Sequence, residues 1–267
     1  MDHGSRRSGA LRLAALGATN LPRSGDPAEP VETLRNQDPI EGQSAMTALP
    51  TLPEAARRKL ETTPTSIITD VFGRLHLSGW MEGVHPVRPD SHMGGRARTL
   101  RFAPLRGADR PTQSIYGFIR SLAPGDVLVI GADATRDNLM GDNIARAAQA
   151  QGLAGIVTDS RNRDNATIAK LAMPVFSCGA ATRPTVNVEL VDFDVPVTCA
   201  DTQVRPGDII LGDRDGVVVI PASQLDTVLY QAEDMQVVEH DLAAAVDTRA
   251  SLEVIDAIRK RKKALRA

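Results

Sequence analysis

The sequence predicts an α/β fold with a mixed sheet, and three stretches carry that prediction. Val127-Leu128-Val129-Ile130 is a continuous apolar run after a Pro124-Gly125-Asp126 turn, the texture of a strand covered on both faces. Asp142 to Gly152 reads as a helix, with Ile144, Ala147, Ala148 and Gln151 on one face and Gly152 as its C-cap, and Gly155-Ile156-Val157 follows as a second buried strand. Together with a crossover of about twenty residues these make a βαβ unit, whose strands are parallel and whose connection is right-handed. Further on, Val186 to Phe193 alternates apolar and polar residues, as a half-exposed antiparallel strand does.

The other elements follow in order. Residues 1 to 45 are rich in Arg, Ser, Gly, Pro and Asn, and their one apolar run, Ala10 to Leu21, is broken by Arg12 and ended by Pro22. That run is too short to span a bilayer. Arg6 and Arg7 before it make only a weak export signal, without a clear cleavage site. Residues 1–45 are therefore expected to be a disordered leader, or an extension upstream of a natural start at Met46, ahead of one domain over residues 46–267. Glu54 to Glu61 reads as a polar helix, and Pro64-Thr65-Ser66 opens an apolar one through Ile67, Ile68, Val71 and Phe72, ended or bent at Gly73. Short β-like pieces at Gly83-Val84 and Gly94 to Ala97 precede a helix near Ser114 to Leu122. Pro206-Gly207-Asp208 leads into Ile209-Ile210-Leu211, and the hairpin-type turn Gly212 to Gly216 leads into Val217 to Ile220. Gln224 to Leu265 reads as helix with a basic end, Arg259 to Lys263, read as cations of a last turn facing water.

Composition narrows the function. A chain of 267 residues with 42% apolar content can bury one sizeable core. Its 33 acids against 31 bases give a net charge of −2, so no whole-molecule field draws it to nucleic acid or to an anionic membrane. The expected ligand is a small molecule. Cys178 and Cys199 lack metal-ligand spacing and read as buried thiols of a protein in the reducing cytoplasm. His76, His85, His92 and His240 show no ligand spacing either, and Asp213 and Asp215 read as turn residues.

The chemistry-bearing residues gather at one edge. In a βαβ unit the helix starts beside the carboxyl end of the first strand, so Gly141 to Ile144 should face Ser160 to Asp164. Amides at a helix start lack intrahelical acceptors, so those of Gly141, Asn143 and Ile144 could receive a carboxylate, and Gly141 lets it approach. Arg163 offers a planar fork for the same group. Asp164 is a hard oxygen ligand, and Asp142 a second carboxylate able to hold a metal-bound water, a sparse set that suits Mg²⁺. An Arg-Asp pair by itself is more often a surface ion pair.

From about Thr65 to Ser251 the chain resembles the family of class II 4-hydroxy-4-methyl-2-oxoglutarate aldolases, related oxaloacetate decarboxylases and RraA, the regulator of ribonuclease E activity. The resemblance rests on Asp142, twenty intervening residues and Arg163-Asp164, flanked by Pro124 to Val129, Gly141 to Ala145, Gly155-Ile156-Val157, Pro174-Val175-Phe176 and Pro206 through Pro221. It implies a β/β/α fold like the swivelling phosphohistidine domains, assembled as a homotrimer or homohexamer. It implies that Asp164 binds Mg²⁺, or Mn²⁺ or another divalent metal. Arg163 and the amides of Gly141 to Ile144 would hold a 2-oxo acid, and Asp142 would orient metal-bound water. Cleavage would leave a pyruvate enolate, the species oxaloacetate decarboxylation also generates. The alternatives within the resemblance are a non-catalytic regulator binding a ribonuclease and a menaquinone methyltransferase, and for the latter no Gly-rich nucleotide turn is present. Two points depart from the pattern. Asp159-Ser160 stands where the family has Asp-Gly, with Arg161 an added cation, and the acid that a neighbouring subunit's C-terminal helix supplies has only Glu239 as candidate, with Glu233 in reserve.

Overall fold

The structure is a computed structural model, and it describes residues 49–106 and 114–266; the expected leader lies outside the described residues. The elements are α1 Glu54–Thr62, α2 Thr65–Leu75, β1 Trp80–Met81, β2 His85–Pro86, β3 Met93–Pro104, α3 Ile115–Ser121 and β4 Asp126–Gly131. Next come β5 Asn138–Met140, α4 Asp142–Gln151, β6 Gly155–Thr158, β7 Arg161–Asn162, α5 Asn165–Ile168 and β8 Val175–Ser177. The chain closes with β9 Val188–Phe193, β10 Val197–Cys199, β11 Thr202–Val204, β12 Ile209–Asp213, β13 Gly216–Ile220, α6 Leu225–Asp247 and α7 Leu252–Arg266.

The main sheet runs β1-β13-β12-β3-β4-β6-β8-β2, with β9 added beside β3. Its middle, β3, β4, β6 and β8, is parallel, and the flanking pairs are antiparallel. The mixed α/β architecture is therefore the one expected. β4 is buried throughout: Leu128 and Ile130 pack towards α3 and α4 with Phe118, Ala145 and Ala148, while Val127 and Val129 face Met93, Val157 and Phe176. Burial on both faces is why its sequence shows no alternation. A separate cluster seats Ile68, Val71 and Phe72 of α2 and Val228 and Leu229 of α6 on Ile209, Leu211 and Val218.

Several details differ from the expectations. β3 is 12 residues long, well beyond the short piece at Gly94 to Ala97, because its amino half pairs with β12 and its carboxyl half with β9. Arg96, Arg98 and Arg101 break the apolar pattern that would have revealed it. Gly73 does not end α2, which runs on to Leu75 and is capped by His76 in the left-handed conformation. Helix α2 gains a tertiary N-terminal cap: Asp213 accepts from the Thr65 N–H and hydroxyl, both at 2.8 Å. The C-terminal helix is two helices, broken near Arg249, which has φ 52°. On α4 the fully buried side chains are Ala145 and Ala148; Gln151 instead donates to the Leu122 carbonyl at 2.7 Å. Cys199 is buried but Cys178 only half so, and neither is in a disulfide.

Candidate active site

Two short strands position the site. β5 pairs with β7 in parallel, Met140 opposite Asn162, so the next residues along each strand, Gly141 and Arg163, meet at once. The Arg163 N–H donates to the Met140 carbonyl at 3.1 Å. Behind the pair, fully buried Asn162 accepts from the Ser177 hydroxyl at 2.5 Å, and its amide donates to Asn165. The loop is anchored one step earlier by Asp159, whose carboxylate accepts from the N–H groups of Ala132 at 2.9 Å, Ala134 at 3.0 Å and Ala200 at 3.4 Å. Burial pushes the Asp159 carboxyl up from its ordinary pKa, and these amide bonds pull the other way.

At the start of α4 the expected juxtaposition is present. Asp164 sits in the left-handed region, φ 62°, and its Oδ2 accepts from the Asp142 N–H at 3.4 Å. A Cβ on Gly141 would lie 2.5 Å from that oxygen and 3.3 Å from Arg163 Cγ and Nε. Only glycine leaves the cradle in which the Asp164 carboxylate lies across the helix start. Since the Asp142 amide is turned to Asp164, the first-turn amides left for a ligand are those of Asn143 and Ile144. Arg163 Nε stands 3.6 Å from Asp164 Oδ2 in an open ion pair, with the two side chains 60% and 42% exposed. Asp142 accepts from Arg146 Nε at 3.1 Å, one helical turn on.

These groups line a pocket of about 330 Å³, whose wall is completed by Tyr116, Asn138, Leu139, Met140, Pro184 and Thr185. Sequence reasoning missed that wall. Pro184 and Thr185 come from a strap held by tertiary bonds: Asp137 accepts from the N–H groups of Val186 and Asn187, each at 3.0 Å, and pairs with Arg183 at 2.8 Å. The Val186 bond first, then that of Asn187 and the charge of Arg183, hold the Asp137 carboxyl below the usual carboxylate range. No local signal marks these partners, which lie 46 to 50 positions apart.

The departures from the family pattern prove structurally mild. Ser160 does not need positive φ, and it is buried with its hydroxyl 2.7 Å from that of Thr158. Arg161 turns its guanidinium to the Cys178 carbonyl at 3.2 Å and does not line the pocket. Glu239 and Glu233 lie on α6, outside the pocket wall of their own chain; Glu239 pairs with Lys262 and Glu233 with Lys59 at 2.5 Å.

The residues fit a divalent cation of the sparsely ligated kind. Among the described residues no three His, Cys, Asp or Glu side chains gather into a ligand set, whereas Mg²⁺ takes one or two protein carboxylates and keeps several waters. Asp164 in its glycine cradle and Asp142 at the start of α4 are the two wall carboxylates that would hold such an ion.

Fold and pocket thus define a β/β/α protein with an Arg-Asp site at a helix start on the carboxyl edge of a parallel sheet. The RraA-like family model, Aldolase/RraA, matches residues 65–219, and the chain belongs to that family. It is 32% identical over 180 residues to a protein of Halalkalibacterium halodurans named "Putative 4-hydroxy-4-methyl-2-oxoglutarate aldolase", covering 67% of this chain and 82% of that one. A Thermus thermophilus protein named 4-hydroxy-4-methyl-2-oxoglutarate aldolase is 28% identical over 49% of this chain and 77% of its own length. Among solved structures, Streptomyces coelicolor RraAS2, titled an unusual member of the RNase ES inhibitor RraA protein family, superposes with a TM-score of 0.66 at 26% identity, covering 72% of this chain and 98% of that one. An uncharacterized protein of Pseudomonas syringae shares the fold, with a TM-score of 0.69 at 22% identity over 78% and 99%. Among the described residues no helix is long and apolar enough to cross a membrane.

Proposed function

We propose that the protein is a divalent-metal-dependent lyase that cleaves 4-hydroxy-2-oxo acids of the 4-hydroxy-4-methyl-2-oxoglutarate type to pyruvate, and also decarboxylates oxaloacetate. The observation that carries this reading is the side-chain-free approach at Gly141, which sets the Asp164 carboxylate and the Arg163 guanidinium together at the start of α4. The names of the curated relatives support the same chemistry.

In this reading Asp164 would hold Mg²⁺ or Mn²⁺, and Asp142, oriented by Arg146, would orient water in the site. The cation, when bound, supplies Lewis-acid stabilisation of the negative charge that carbon–carbon cleavage leaves on the 2-oxo fragment. Arg163 receives the substrate carboxylate in two-point contact, and the Asn143 and Ile144 amides with the helix dipole neutralise it further. Binding at two fixed points orients the scissile bond, which is where positioning contributes to rate. Asp142 and Asp164 are the only carboxylates among the described wall residues, so the base that takes the proton of the 4-hydroxyl is the Asp142 carboxylate, directly or through water, or a carboxylate such as Glu239 from a neighbouring subunit of a cytoplasmic homotrimer or homohexamer.

The test is pyruvate release from oxaloacetate and from a 4-hydroxy-2-oxo diacid over a range of Mg²⁺. Activity should vanish in excess EDTA while the melting temperature holds. Full turnover in EDTA would overturn the metal's role. Turnover of neither substrate would favour the second reading, a non-catalytic regulator binding a ribonuclease, which the likeness to RraAS2 supports.

A further inference from the structure

From Ala181 to Asn187 the chain forms no helix or strand, yet two of these residues, Pro184 and Thr185, wall the Arg163-Asp164 pocket. The strap is tied at its ends: the Ala181 N–H donates to the Asn162 carbonyl at 3.0 Å, and the Asn187 carbonyl accepts from the Leu105 N–H at 2.8 Å. Packing does little for the stretch between. Arg183, Pro184, Thr185, Val186 and Asn187 are all exposed. Thr185 also borders an apolar groove of about 320 Å³, lined with Phe102, Leu105, Val188 and Leu190, so open space lies on both sides of the strap. A segment with so little buried apolar surface depends on polar bonds to hold its place.

Those bonds converge on two neighbouring residues. Asp137, 1% exposed, accepts at Oδ2 from the Val186 and Asn187 N–H groups, each at 3.0 Å, and at Oδ1 from the Asn187 side-chain amide at 3.3 Å and Arg183 Nε at 2.8 Å. Asn138 takes the rest: its N–H donates to the Arg183 carbonyl at 3.0 Å, as does its side-chain amide, and its carbonyl accepts from the Thr185 hydroxyl at 2.6 Å. Asp137 is itself fixed to the catalytic loop, since its carbonyl accepts from the Arg161 N–H at 3.3 Å, at the start of β7. The strap brings shape to the pocket and no charge. The Thr185 hydroxyl is committed to Asn138, Pro184 has no N–H, and Arg183 is turned to Asp137 and is not a wall residue.

We propose that Asp137 is a positioning residue that sets the selectivity of the site: through the strap it fixes the Pro184-Thr185 wall against the substituents on carbon 4 of the substrate. The identity of that substrate rests on the lyase reading. There Arg163 and the first-turn amides of α4 take the carboxylate end, and an uncharged wall is left for the substituted end. Without the Asp137 carboxylate the strap has room to move towards the groove, and a displacement of under an ångström is enough to spoil the fit.

Asp137→Ala, Asp137→Asn and Arg183→Met in the full chain test this by two readouts. Hydrogen exchange followed by mass spectrometry should be about tenfold or more faster across residues 183–187 in Asp137→Ala, and unchanged across residues 141–144. In the same variant pyruvate release from 4-hydroxy-4-methyl-2-oxoglutarate should lose about tenfold in kcat/KM, mostly through KM, while oxaloacetate, which lacks the 4-hydroxyl and the 4-methyl, should lose about twofold or less. The ratio of the two substrates does not depend on how much of the variant is folded, so a merely structural role would not move it. Asp137→Asn keeps an acceptor oxygen and should fall between. Arg183→Met keeps the strap's N–H bonds and should stay within about twofold of the parent, as for loss of an exposed ion pair. Should Asp137→Ala fail to fold, Asp137→Asn carries the comparison. The proposal is overturned by an unchanged substrate ratio in an active protein, or by unchanged exchange at the strap. If the parent turns over neither substrate, the lyase reading fails by itself, and exchange alone decides whether Asp137 positions the wall.

Discussion

Two Arg-Asp clusters built from the same residue types stand at opposite ends of the central strands and are treated in opposite ways. Towards the amino ends, Arg98 is 5% exposed, clasped by Asp194 and Asp126, with its guanidinium 5.8 Å from the Phe118 ring centre. Towards the carboxyl ends, Arg163 and Asp164 are both largely open, their ion pair is long, and Asp164 holds a left-handed backbone conformation that few residues accept. In the first cluster the charges are mostly taken from water and answer one another, so it serves the fold. In the second the charges remain open to water.

Substitutions should separate the two clusters cleanly. The largest effect on rate is expected from Asp164→Asn, since asparagine keeps the shape and tolerates positive φ but gives up the charge that holds a cation. Turnover should fall more than about a hundredfold, with stability changed by no more than about 0.5 kcal/mol, as for an exposed side chain. Wild-type Mg²⁺ dependence in that variant would place the metal elsewhere. Asp194→Ala should do the reverse: it leaves Arg98 buried with one distant partner, costing about 3–5 kcal/mol in denaturant unfolding. Its rate per folded molecule should be unchanged, and a parallel loss of rate would erase the contrast between the clusters.

Smaller effects sharpen the picture. Gly141→Ala has room on the backbone, whose φ of −131° any residue accepts, but its Cβ would press on Asp164 Oδ2 and Arg163. Activity should drop about tenfold or more with the fold retained, because a displacement of under an ångström is enough to misplace a reacting group. Arg163→Lys should raise KM about tenfold and lower kcat less, as a point charge cannot reproduce two-point contact. The smallest effect concerns acid. Asp137, held below its usual pKa, contributes stability that is present above the unfolded value of about 3.9 and is lost as pH falls through the lower folded value. Asp137→Asn should remove that part of the acid dependence, and unfolding curves for both proteins between neutral pH and acid would decide it.

The sequence by itself determined the parallel βαβ unit, because a four-residue apolar run, a capped amphipathic helix and a second apolar strand each follow from local periodicity. It also determined that Gly141 and Asp164 would meet, since a right-handed crossover leaves the helix start and the second strand's end on one edge. The full length of β3, the break near Arg249 and the capping of α2 by Asp213 were decided only in three dimensions, where pairing and side-chain bonds over long separations override local pattern. The β5–β7 pairing that puts Arg163 beside Gly141, and the strap that brings Pro184 and Thr185 to the pocket, belong to the same group. So does the division between the two clusters. A guanidinium and a carboxylate look alike in sequence wherever they stand, and only the water removed around Arg98 and left around Arg163 tells structure from site.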